Sequence, residues 1–398
     1  MTVGTAFHPR TAPLNRKMAW REWSGFFAAS AYADHLDIEY NAIREAAALI
    51  DVSPLRKYRV SGPDAIRLVD RVITRDATKL PVGRVLYAPW CDEDGRVLDD
   101  GTVARLDETT FRWTAADPTL RWLLLNARGL DVRVEDVTET VAALALQGPN
   151  ARAVLEAASG ASFADVPYFG RREASVGGVP VDVTRTGYTG DLGYELWVDA
   201  ADALGLWDAL ALAGRPFGLR PAGMLALDVV RIEAGLIMAE VDYTSARHAR
   251  IPEQAASPFE LGLGRLVDLR KGPFVGRRAL ERELAAGGPP RRLAGLEVSW
   301  EGIEGMHGEL GLAPAVPAAA SREHVPVFAG NRRVGRVTSR TWSPTLKKTI
   351  ALASVPAALA APGTALEIEW TVEARRGKVA ATVVPLPFLD LPRKRATG

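Results

Sequence analysis

The chain contains a single cysteine, Cys91, among 398 residues. One thiol excludes a disulfide framework and every multi-cysteine zinc or iron–sulfur site. Histidine is scarce too. His8, His35, His248, His307 and His324 are scattered without the spacing of metal ligands, so no metal site is expected. No apolar run approaches the ~18 residues of a membrane helix. The opening MTVGTAFHPRTAPLNRKMAW lacks the continuous apolar stretch of a secretory signal, and a cytoplasmic protein without membrane association is the expectation. An excess of either charge is missing as well: 49 Lys and Arg stand against 48 Asp and Glu. No global basic field draws the chain to nucleic acid, and arginine pairs such as Arg171-Arg172 and Arg332-Arg333 read as solvated surface. Phosphate loops, dinucleotide glycine fingerprints and serine-nucleophile elbows are absent, and nothing around Cys91 marks a nucleophile.

What is present is an ordinary globular composition on a chain too long for one core, so two or three domains are expected. The spacing of Ile38, Ile43, Ala46, Ala47 and Ile50 predicts a helix that stops before Pro54. KYRVSG reads as a strand, GPDAIRLVDRVI as a helix, and GRVLYAPWCD, GRVLDDGTVARL and TTFRWTAA as strands separated by Gly and Asp turns. VDVTRT and ADALGLWDALALAG continue the mixture of strand and helix. AAGGPPRR, residues 285–292, has the composition of a linker. RLAGLEV, HVPVFAG, RRVGRVTSR, ALEIEWTV and KVAATVV follow as short strands of a small antiparallel barrel or sandwich. The expected fold class is α+β, with a mixed body over 1–284, the linker, and a C-terminal β domain over 293–398.

Three segments carry candidate chemistry. GYTGDLGYEL, residues 187–196, places three glycines and two tyrosines before a strand bearing Glu195. Glycine permits close backbone approach to a flat ligand, tyrosine offers a face with a polar handle, and a carboxylate can accept two hydrogen bonds from an aminopyrimidine edge. A hairpin with a surface glutamate fits the same residues. DEDGRVLDDG, residues 92–101, ends in Asp99 and Asp100, which strand alternation puts on opposite faces. One can enter a cavity while the other caps a turn, so they are no acid–base pair; a plain Asp-Asp-Gly turn also fits. LDVVRIEAGLIM, residues 227–238, is an apolar helix bearing Arg231 and Glu233. Two apart, these do not face each other, and each needs a partner elsewhere, in a site or in a structural ion pair.

In this order the segments resemble the glycine-cleavage T-protein (aminomethyltransferase) family. The resemblance rests on VLDD at 97–100, LQGPNA at 146–151, RTGYTGDLGYE at 185–195, RIEAGL at 231–236 and SPTLKK at 343–348. IDVSPLRKYRVSGPDA at 50–65 and PFVGRRAL at 273–280 are similar to further family motifs, so about residues 40–390 are covered. The resemblance implies a three-subdomain cloverleaf around a central channel for tetrahydrofolate, closed by a C-terminal β-barrel. It implies that Glu195 binds the pterin edge with Tyr188 beside it. Asp100 would face the reacting nitrogens, and Tyr87 would line the same cavity.

The departures fall on the substrate side. Pro54 and Leu55 stand where the family has His-Met, Leu227 where its helix carries arginine, and Ala116 where an asparagine is expected. The tail PFLDLPRKR lacks the family's aromatic pair. Together these imply retained folate binding and a small methylated compound as donor, a demethylase-like transferase, rather than a lipoyl carrier protein. The alternatives are aminomethyl transfer from a lipoylated carrier and a non-catalytic folate-binding scaffold. The scaffold branch carries K-G-C-Y-x-G-Q where this chain has RTGYTGD, without the cysteine. Trp20, Trp23 and Trp90 are candidate contacts for a methylated cationic centre, against plain core roles. The oligomeric state is not legible.

Overall fold

A computed structural model describes residues 1–396. Three β bodies organise it, beside a small N-terminal sheet of Val3–Gly4, Trp20–Trp23 and Phe26–Ala29. The first body is an antiparallel sheet in the order Val85–Cys91, Val97–Arg105, Thr110–Ala115, Arg56–Ser61, Arg133–Asp136. The helices Ala65–Val72 and Leu120–Asn126 bury Leu68, Val69, Val72 and Leu123 against Trp90, Phe111 and Trp113. In the strand Val97–Arg105, a Cβ on Gly101 would lie 2.0 Å from the Thr114 carbonyl oxygen. Only glycine allows this close pass, and it fixes the register of the two aspartates before it.

The second body runs Arg171–Val176, Val179–Thr184, Gly193–Asp199, Val141–Gln147, Ala47–Asp51, Leu219–Pro221, with only the last pair parallel. Helices cover both faces. Ala47, Leu49, Leu144 and Leu146 meet Ala151–Ser159 and Ala203–Ala213 on one side, while Ala48, Ile50, Ala143 and Ala145 meet Leu36–Glu45 and Met224–Glu233 on the other. This corrects the sequence expectation of one helix up to Ile50. The helix ends at Glu45, and Ala47–Asp51 is a strand. A strand buried on both faces is a continuous apolar run, which periodicity alone does not separate from a helix.

The third body is a closed barrel in the order Arg291–Val298, Lys348–Pro356, Arg332–Ser343, Val325–Ala329, Ala365–Val372, Arg375–Val384. Closure leaves no strand edge unpaired. The strand Lys348–Pro356 was not among those expected, because the SPTLKK motif overlaps its start. The α+β class and the C-terminal barrel stand as expected.

The helix Met224–Glu233 joins the bodies, which answers what Arg231 and Glu233 are for. Arg231 donates to Asp242 (2.5 Å) and to Ser339 Oγ (2.8 Å), and Thr338 and Ser339 of the barrel both donate to Asp242 Oδ1 (2.6 Å each). Glu233 accepts from Arg44 (2.6 and 2.9 Å), Tyr40 (2.6 Å) and Ser343 (2.5 Å). Both charges are fully buried and matched, so RIEAGL acts as an assembly motif. Breaking one such buried pair costs about 3–5 kcal/mol. Among the described residues, no helix is long and apolar enough to cross a membrane.

Candidate active site

Asp100 and Tyr87 sit on adjacent antiparallel strands. Tyr87 pairs with Thr102, which makes Asp100 its diagonal neighbour on the same face. The Tyr87 hydroxyl donates to Asp100 Oδ2 at 2.6 Å, and the Tyr243 hydroxyl donates to Oδ1 at 2.5 Å. Burial pushes the Asp100 carboxyl above the usual range, and nearby Asp242 adds to this, while the two hydroxyls oppose it. The same burial and the charge of Asp100 hold both tyrosines protonated, well above their ordinary value. A carboxylate gripped by two phenols therefore keeps a fixed position and a tunable proton.

Asp99 points the other way. It accepts from the backbone N–H groups of Asp100 (2.8 Å), Ala116 (2.9 Å) and Asp117 (2.9 Å). Alternation thus gives one aspartate to the site and the other to a loop clamp. Burial and the neighbouring Asp100 raise the Asp99 carboxyl, with the backbone donors opposing.

Glu195 lies on the strand Gly193–Asp199, in a separate wall. Its Oε2 accepts from Thr186 Oγ1 at 2.5 Å, while no described residue donates to Oε1. Thr186 meets Thr184 (2.9 Å), which accepts from the Trp197 indole (3.0 Å). Arg112 stacks 4.2 Å over the Trp197 ring and donates to Asp182. Burial raises the Glu195 carboxyl, opposed by Thr186 and by the charge of Arg112. Tyr188 donates its hydroxyl to the Ile237 carbonyl, and Ile237 packs in the cluster that holds Tyr243 and Tyr87. Structure therefore groups Tyr87, Asp100 and Tyr188, with Glu195 on a neighbouring wall and no direct contact to Asp100. All four are walled in strongly enough for burial to dominate their titration, yet each retains accessible surface.

The glycines of the 187–196 segment serve another purpose than expected. A Cβ on Gly187 or Gly193 would fall 2.1 or 2.2 Å from Gln147 Oε1, and one on Gly190 would fall 2.5 Å from Ala234. They make room for protein, not for a ligand. Gln147, from the LQGP motif, donates to the Thr186 and Tyr194 carbonyls and accepts from Thr189 at 2.7 Å. It thereby holds the loop that presents Tyr188 and Thr186. Gln147, Thr186, Arg112 and Tyr243 escaped the site reading. The glycine pattern pointed to Gln147 indirectly, but nothing local marks Tyr243 or Arg112.

Trp90 is fully buried against Trp113, and Trp20 packs with His8 and Phe27. Only Trp23 lies against the cluster containing Tyr188 and Leu227. Leu227 is buried as core, but Arg322 (2.6 Å) and Arg21 (3.4 Å) converge on the neighbouring Asp228. Cys91 is buried, which pushes its thiol up and away from reactivity. Among the described residues, Asp117, Glu240 and His248 bring ligand-type atoms within 4.8 Å of one another, a proximity sequence spacing does not show.

Comparisons with known proteins show the family. The family models described as "GCVT N-terminal domain" and "Glycine cleavage T-protein C-terminal barrel domain" match residues 7–271 and 309–390. An aminomethyltransferase of Symbiobacterium thermophilum is 39% identical over 90% of this chain and 90% of its own. A trimethylamine-oxide aldolase of Ruegeria pomeroyi is 36% identical over 99% of this chain, which spans only 48% of that relative's length. The solved glycine cleavage system aminomethyltransferase T of Bartonella henselae superposes with a TM-score of 0.81 at 25% identity, covering 97% of this chain and 98% of that one. By sequence across its length and by fold, the chain belongs to the glycine-cleavage T-protein family, a family of enzymes.

Proposed function

We propose that the protein moves a one-carbon unit from a small methylated compound to tetrahydrofolate. The observation that carries the folate half is Glu195, a walled-in carboxylate with one oxygen held by Thr186 and the other left for a ligand. A partly enclosed carboxylate oxygen with no protein donor is free to accept from a ligand, and the amino and ring N–H groups of a pterin supply a matched pair. Tetrahydrofolate, when bound, supplies the nucleophilic nitrogen that takes up the one-carbon unit. Asp100 holds charge, or the proton released, at its Oδ atoms, while Tyr87 and Tyr243 fix its position. Tyr188 packs beside the pterin wall. Such placement lowers the barrier by orientation and preset charge rather than by strong acidity.

The small-donor half rests on the substrate side. Leu227 is apolar core, and of the three candidate tryptophans Trp23 is the one that packs against the cluster holding Tyr188. The similarity to the trimethylamine-oxide aldolase over 99% of the chain supports a methylated amine as the class of donor. The second reading is aminomethyl transfer from a lipoylated carrier, favoured by the aminomethyltransferase relatives. The protein should be incubated with tetrahydrofolate and, in parallel, trimethylamine oxide, other methylated amines, sulfonium compounds, aryl methyl ethers and an aminomethyl-loaded lipoyl carrier. Methyl- or methylene-tetrahydrofolate arising from a small donor supports the proposal. Ammonia and methylene-tetrahydrofolate arising from the carrier at an enzymatic rate would overturn it.

A further inference from the structure

Behind the tyrosine–carboxylate site, the loop that follows the strand Thr110–Ala115 meets the segment that carries Tyr243. There His248 Nδ1 lies 3.1 Å from Glu240 Oε1 and 3.5 Å from Asp117 Oδ2, and the three atoms all fall within 4.8 Å of one another. The protein leaves this group incompletely matched. Asp117 Oδ2 has no surface open to solvent and no hydrogen-bond partner. Among the described residues no lysine or arginine pairs with either carboxylate, and the adjacent Arg247 is spent on the Pro118 carbonyl. Glu240 Oε1 does accept the backbone N–H of Ser245 at 2.8 Å. One imidazole Nδ1 carries at most one proton, so it can donate to one of the two carboxylates and leaves the other bare. Three side chains on their own therefore do not complete the cluster, whereas a cation between them would.

The spacing also fits a metal. Zinc binds imidazole nitrogen and carboxylate oxygen at about 2.0–2.2 Å, so two ligands set 90–109° apart around it stand about 3.0–3.4 Å from each other. The pairs His248–Glu240 and His248–Asp117, at 3.1 and 3.5 Å, already hold that separation. One imidazole with two carboxylates is a donor set for zinc, manganese or iron(II), while magnesium and calcium take oxygen ligands. His248 and Glu240 are partly exposed, which lets an ion enter, and three protein ligands leave it an open position. The geometry points to a mononuclear site for a divalent transition metal of the zinc class, held by Asp117 Oδ2, Glu240 Oε1 and His248 Nδ1. Its place links it to the candidate active site. The backbone N–H of Asp117 holds Asp99 Oδ2 at 2.9 Å, and Glu240 and His248 bracket Tyr243, whose hydroxyl holds Asp100 Oδ1 at 2.5 Å. A bound ion clasps the loop behind Asp99 to the segment that positions Asp100.

Calorimetric titration of the full chain, stripped with EDTA, with Zn2+, Mg2+ and Ca2+ tests this. Zn2+ should fill one site about tenfold more tightly than Mg2+ or Ca2+, or better. His248→Ala and Asp117→Asn should each weaken that site by about tenfold or more, because each removes a ligand. In the absence of metal both variants should unfold at the wild-type midpoint, and added Zn2+ should raise the wild-type midpoint alone. Amide hydrogen exchange over residues 238–248 should slow when zinc binds. Zinc bound equally well by the wild type and both variants overturns the site, since His8, His35, His307 or His324 would then hold the ion. No zinc bound by the wild type overturns it too. Mg2+ or Ca2+ bound as tightly as Zn2+ overturns the assignment to a transition metal. Zinc bound at the site with exchange over 238–248 unchanged overturns the clasp. None of these outcomes depends on whether the protein binds tetrahydrofolate.

Discussion

Asp99→Asn and Asp100→Asn should separate stability from turnover, although the two residues are adjacent and chemically alike. At Asp99, both carboxylate oxygens accept backbone N–H groups, one from Asp100 and two from Ala116 and Asp117. An asparagine must turn its NH2 toward at least one of these donors, whichever way it flips. One or two buried hydrogen bonds are lost, with a donor left facing a donor. At about 1–3 kcal/mol for each buried group left unsatisfied, the expected loss is about 2–4 kcal/mol. At Asp100 the partners are two hydroxyls, which can rotate to accept as well as donate. Asp100→Asn should therefore change stability by less than about 1 kcal/mol, while removing the charge costs about 10²-fold in turnover. Denaturant unfolding of both variants, alongside folate-dependent turnover of the donor found in the panel, reads the two effects. Equal destabilisation by the two substitutions, or a larger turnover loss at Asp99 in protein shown to be folded, would refute the face assignment.

Glu195→Ala should weaken tetrahydrofolate binding by about 1.5–3 kcal/mol, the scale of a hydrogen bond to a charged group, and an unchanged Kd in calorimetry would remove Glu195 from the site. Gly193→Ala should destabilise the fold by more than about 2 kcal/mol, because its Cβ would meet Gln147 Oε1 at 2.2 Å. The double variant with Gln147→Ala should recover part of that loss in urea unfolding, and strict additivity would disprove the clash. The Glu195 carboxyl is raised by burial, so its contribution to stability is present below the ordinary glutamate value near 4 and is lost as pH rises through the raised value. Without ligand, Glu195→Gln should gain stability relative to wild type as pH climbs from about 4 to 7, while wild-type folate affinity rises as Glu195 ionises. A stability difference that stays flat with pH contradicts the burial.

Local chemistry settled much of this protein. Alternation along VLDDG separated Asp99 from Asp100, since successive side chains on any strand leave by opposite faces. The motif order was specific enough to name the family, and the turn-rich tail foretold a β domain. Other features required the folded chain. Ala47–Asp51 is a strand because helices cover both of its faces, and an apolar run carries no record of what covers it. Tyr243 reaches Asp100 across 143 residues of sequence, and Arg231 and Glu233 find partners in Asp242 and Arg44 by tertiary packing alone. The glycines before Glu195 were legible as tight, but only packing shows that Gln147 fills the space. Sequence fixes which groups a chain owns and which face each leaves by, whereas long-range partners depend on how separate sheets and helices close on one another.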